Sequence, residues 1–125
     1  MVKTIISSIA VAVIVLTFAL FEQWFITKNF NEFNDVLAVL YQKIEDESAT
    51  EEDVYAVQDN WLKKKKSLHA FIPHNDIKEI DLWLAESVTL VGDEKWEDAI
   101  SKVEVLIELS EQIPKTFTLS FENIF

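Results

Sequence analysis

The chain contains no cysteine, no arginine, one glycine and two prolines in 125 residues. Without cysteine, disulfides, thiolate nucleophiles and cysteine-based zinc sites are all excluded. With 22 acidic residues against 11 basic ones, all of them lysine, the net charge is −11. Nucleic-acid recognition draws on clustered basic side chains, so that class is excluded too. The same balance, taken over the whole chain, argues against electrostatic docking on anionic lipid. Scarce glycine and proline point to long helices with short links rather than to a sheet. Half the residues are apolar and fifteen are aromatic, which excludes general disorder.

Catalytic signatures are missing as well. No serine stands in a nucleophile-elbow context, and there is no glycine-rich phosphate loop. His69 and His74 are the only histidines; five residues apart with Pro73 between them, they do not share one helical face. The carboxylates fall where solvated helix faces would put them. No enzymatic activity, cofactor, metal site or small-molecule substrate is expected.

What is present begins with Thr4 to Phe21, eighteen residues without a charge. As a helix this run spans roughly 27 Å, close to the ~30 Å of a bilayer's hydrocarbon core. Glu22-Gln23-Trp24-Phe25 follows, with no small-residue cleavage site, so a retained anchor is expected rather than a removed signal. Lys3 is the only flanking charge on the short side and places the N-terminus in the cytoplasm and the remainder outside. Trp24 and Phe25 come where the bilayer should end, as interface residues or as the first core residues of the outer part. Ser8, Ala12 and Ala19 line one face of the run, a candidate surface for close helix packing.

From Ile26 onward a helical stripe runs through Phe30, Phe33, Leu37, Leu40 and Ile44. No glycine or proline separates it from the apolar run, so one helix can continue from one into the other. After the acidic break at 45–53, Thr50 and Asp53 have the spacing of a capping box. A second helix is expected over about 51–69, with Val54, Val57, Trp61 and Leu68 inward. Lys63 to Lys66 interrupts that face, and one of these lysines should lay its stem along the core. A third helix, capped by Asn75 or Asp76, presents Ile77, Ile80, Leu84, Val88 and Val91, and Gly92 stands where a left-handed C-terminal cap belongs. The fourth is expected from near Asp93 to Pro114. Beyond it Phe117, Leu119 and Phe121 alternate with polar residues, an extended pattern that ends in Ile124 and Phe125.

Several local features are also shared with a known group: the N-terminal anchor, Trp61, the stretch His74-Asn-Asp-Ile-Lys-Glu-Ile-Asp81, the turn at Trp96 to Ala99, and the ending Leu119-Ser-Phe-Glu-Asn-Ile-Phe125. In these the chain resembles a domain-of-unknown-function family of small single-pass membrane proteins from Gram-positive, often spore-forming, bacteria. Asp76 stands where that family would lead one to expect glutamate. The resemblance implies no established activity, but it does imply a larger membrane protein as neighbour.

The expected architecture is all-α, an N-terminal transmembrane helix followed by an antiparallel four-helix bundle with an extended C-terminal tail. Its parts are a cytoplasmic N-terminus (1–3), the anchor (4–21), an acidic extracytoplasmic bundle (22–114) and an apolar tail (115–125). The expected function is a non-catalytic accessory or scaffolding subunit of another membrane protein, or a self-associating one. Phe117, Leu119, Phe121, Ile124 and Phe125 are the candidate partner-binding residues. The alternative is an envelope structural or stress-related protein without a fixed partner.

Overall fold

The structure is a computed structural model that describes residues 1–124, with side chains described through Thr116. It holds four helices, α1 (Val2–Glu45), α2 (Glu51–Leu68), α3 (His74–Gly92) and α4 (Trp96–Ile124), and no strand among the described residues. The apolar run and the first bundle stripe are one unbroken helix, because nothing between them lacks a backbone donor or favours a turn. Ile26, Phe30, Phe33, Leu37, Leu40 and Ile44 are its buried residues, the stripe that the periodicity marks.

The helices run alternately up and down. Lys43 meets Asp53, Phe33 stacks on Trp61, and Phe25 meets Phe71, so α2 descends beside α1. The helix α3 climbs beside α2, and α4 returns against both α1 and α3. The end from which the apolar run projects is called proximal below, the opposite end distal. At the centre sits Trp61, 1% exposed, between Phe33 and Phe30. Its indole N–H donates to Asp81 at 2.8 Å, and Lys65 holds the other oxygen of that carboxylate, also at 2.8 Å. A tryptophan this deeply buried needs a partner for its one donor, and Asp81 supplies it.

Local signals decide where the helices begin and end. The capping box at the start of α2 is formed: the Thr50 N–H donates to the Asp53 carboxylate at 2.9 Å, and the Asp53 N–H donates back to the Thr50 hydroxyl at 3.4 Å. At α3 the expected side-chain cap is not made. Pro73 is the N-cap residue, and its fixed φ with ψ of 142° opens the helix directly at His74. Gly92 is not the left-handed residue either; it is the last residue of α3, and Glu94 takes the positive φ of 56°. The turn at 93–95 closes with the Lys95 N–H on the Leu90 carbonyl at 2.9 Å, which delays α4 to Trp96.

The largest departure lies at the C-terminus. The expected extended tail is helical: α4 passes through Pro114 and continues to Ile124. Ile113 and Pro114 are both buried against the bundle, and that packing holds the helix together where the missing proline N–H weakens it. The tail's alternating pattern misled because Phe117, Phe121 and Ile124 also fit the four-and-three spacing of a helix, and a short run cannot separate the two periods.

Candidate functional site

A surface rather than a cleft is the feature that stands out. Residues 1–18 are exposed on every side, and none of the most apolar eighteen-residue window is buried. This part of α1 is long and apolar enough to cross a membrane. Among its expected packing residues, Ser8 and Ala12 face outward uncovered, with the Ser8 hydroxyl donating to the Thr4 carbonyl at 2.9 Å. Ala19 is half-covered, as are Glu22 and Gln23 just beyond it.

The two aromatic residues at the end of the run part company. Trp24 is 56% exposed and carries the Lys28 ammonium 5.0 Å from its ring centre, a cation–π pair. Phe25 turns inward, stacked on Phe21 and edge-on to Phe71 at 5.6 Å, and so clamps the α2–α3 turn to the proximal end. On the same level Gln23 donates to the carbonyl of Pro114 at 3.5 Å. Helix α4 therefore reaches the proximal end at Pro114 and extends ten residues further, about 15 Å at helical rise. The side chains of the candidate partner-binding residues Phe117, Leu119, Phe121, Ile124 and Phe125 lie outside the described residues.

Two hollows flank α1. One, of about 480 Å³, runs from Leu20 and Trp24 up past Lys28 and Asn31 to Glu32 and Asp35. The other, of about 360 Å³, lies between α1 and α2 over Val36, Val39, Leu40 and Val57. Asn60 lines it, and its side-chain carbonyl oxygen is buried without a hydrogen-bond partner among the described residues.

The ion pairs among the described residues each join one lysine to one carboxylate and do not gather into a reactive centre. The Lys64 ammonium meets the Glu32 carboxylate at 2.6 Å, with the lysine side chain only 10% exposed, so this is the lysine whose stem lies along the core. That hydrogen bond and charge hold the Glu32 carboxyl below its ordinary pKa. Asp53 is lowered in the same direction, first by its bond to Lys43 and then by the Thr50 N–H. Among the described residues no group of three or more His, Asp or Glu is placed to hold a metal ion. His69 is the C-cap residue of α2 and His74 the first residue of α3; both are exposed.

No curated protein and no solved structure matches the chain. Residues 20–124 match the family model described as Domain of unknown function (DUF4363). The matched stretch takes in the whole bundle and the helical tail and leaves out most of the apolar run. The features the model spans are thus those of the four-helix core around Trp61, and the chain belongs to the DUF4363 family.

Proposed function

We propose that the chain is a single-pass membrane protein, anchored by residues 4–21, whose extracytoplasmic bundle serves as a non-catalytic accessory or scaffolding subunit of another membrane protein. The observation that carries this reading is the uncovered apolar half of α1, joined without a break to a closed, well-packed bundle. Eighteen residues that are apolar all round cost too much in water to stay uncovered, and a bilayer is the solvent that matches their length. Lys3 on the short side sets the orientation, with the bundle outside. Among the described residues the bundle presents a closed, well-packed core and an exposed charged surface, which suits a role in contact.

Affinity purification of the full chain from detergent-solubilised membranes tests the proposal. One membrane protein recovered at fixed stoichiometry is the expected result. Recovery of no reproducible partner, other than further copies of the chain itself, would instead favour an envelope structural protein.

A further inference from the structure

The bundle separates its charges along its own axis. A cut through the contacts Phe33–Trp61, Trp61–Asp81 and Asn34–Ser110 divides residues 22–116 into a proximal and a distal half. The proximal half (22–33, 61–82 and 111–116) carries seven lysines and six carboxylates. The distal half (34–60 and 83–110) carries three lysines and fifteen carboxylates. All of the net negative charge of this region therefore lies in the half away from the apolar run. Lysines that are far apart in the chain, Lys28, Lys63 to Lys66, Lys78 and Lys115, are gathered at the other end by the up-and-down path.

We propose that Lys28, Lys63 and Lys66, on the outer faces of α1 and α2, form a docking patch for the phosphate headgroups of an anionic phospholipid leaflet. This rests on the reading of residues 4–21 as a membrane anchor. The patch is continuous with the apolar run: the hollow that starts at Leu20 and Trp24 passes Lys28, and the Phe25–Phe71 contact brings the end of α2 to the same level. Counting upward from Glu22, Lys28 stands about 9 Å above the end of the apolar run, the depth of a headgroup layer. Trp24, exposed beneath Lys28, is the side chain that settles at this boundary. Lys28, Lys63 and Lys66 are exposed and make no ion pair among the described residues. Glu32, one of the two carboxylates lining this hollow, is already held by Lys64, and the other, Asp35, lies farther from the apolar run. An anionic leaflet would at the same time repel the distal half, so one charge distribution both attaches the near end and keeps the bundle upright.

The test is amine acylation of the full chain in sealed vesicles, read residue by residue by mass spectrometry, in pure phosphatidylcholine and with phosphatidylglycerol added. Flotation with the vesicles is scored first. In the anionic vesicles Lys28, Lys63 and Lys66 should react about fivefold more slowly, the protection expected of lysines drawn to an anionic surface. Distal Lys95 should be unchanged, and about 0.5 M salt should remove the difference. Equal labelling in both lipids, in protein that floats with both, overturns the patch and leaves the anchor standing. Failure to float with either overturns the anchor, and the patch with it. Protection in phosphatidylcholine vesicles on adding a soluble polyphosphate, without protection by phosphatidylglycerol, overturns the lipid assignment in favour of a phosphate polymer.

Discussion

The two halves of α1 share one backbone and one kind of side chain, yet only one of them is packed. Leu16, Phe18 and Phe21 are 42%, 57% and 52% exposed, while Phe30, Phe33 and Leu37 are at most 1% exposed. Apolar content does not account for the difference, since the exposed half is the more apolar of the two. Placement does. Between Ile26 and Ile44 the polar residues Lys28, Asn29, Asn31, Glu32, Asn34 and Asp35 fill the circle around one stripe. That stripe has a direction, and α2 and α4 close over it. From Thr4 to Phe21 no residue is charged and no apolar stripe stands out, and among the described residues 1–18 are left uncovered. A stripe specifies a partner within the fold, whereas uniform apolarity specifies a solvent.

The sharpest way to break this comparison is the same truncation in both halves. Leu37→Ala removes a fully buried side chain and should cost roughly 2–5 kcal/mol, much of the stability of a small domain. Leu16→Ala should leave the bundle's melting transition where it is. Thermal melting of the full chain in detergent distinguishes them, and equal shifts would mean that the exposed half packs on the bundle after all.

A charge in the exposed half sharpens the contrast from the other side. Ile9→Asp should cost about 2.5–3.5 kcal/mol of membrane insertion and leave the bundle's melting unchanged. The fraction kept in the membrane through an alkaline carbonate wash is the readout, and full retention would count against the anchor.

Smaller effects come from the bundle's polar joints. Asp53 closes the capping box on Thr50 at the start of α2 and bonds Lys43 at 2.9 Å, so Asp53→Ala should cost about 1 kcal/mol. Its folded pKa is depressed, so its contribution is fully present above the unfolded value and is lost as pH falls through the folded one. Stability of the full chain should hold from neutral pH to about pH 5 and decline progressively below it, with Glu32, lowered by Lys64, acting in the same sense. A melting temperature already falling between neutrality and about pH 5 would show that other groups control acid unfolding.

Smallest of all is Gly92→Ala. Gly92 has no positive φ, and the nearest atoms a Cβ would meet belong to the Glu51 side chain, which can swing aside. The gain in helix propensity, up to about 1 kcal/mol, should leave the melting temperature unchanged or slightly raised. A clear fall would mean that Glu51 is held against Gly92 more firmly than its exposed position indicates.

Most helices could be read before the fold was known, because their signals are local. The stripes of Ile26 to Ile44 and of Val54 to Leu68, and the Thr50–Asp53 box, depend only on spacing along one helix. The misreadings share a cause as well. Gly92 and Pro114 were read by their intrinsic preferences, and at each the surroundings outweighed the preference. At 93–95 the Lys95–Leu90 closure placed the left-handed residue at Glu94, and at Pro114 burial carried α4 through a missing hydrogen bond. The part-buried Trp61–Asp81–Lys65 group was not legible at all, since twenty residues separate the indole from its acceptor.

The sequence by itself determined that this chain would be helical, that residues 4–21 would carry no charge, and that Trp61 and the stripes around it would make the core. Those properties follow from composition and period, which belong to single helices. Only the tertiary structure decided what lies at each end of the bundle. Net charge summed along the chain is strongly negative and argues against contact with an anionic surface. The alternating direction of the four helices sorts the same charges by height instead, lysines toward the apolar run and unbalanced carboxylates away from it. Charge acts through distance in space, and distance in space is what the packing of α1 to α4 sets.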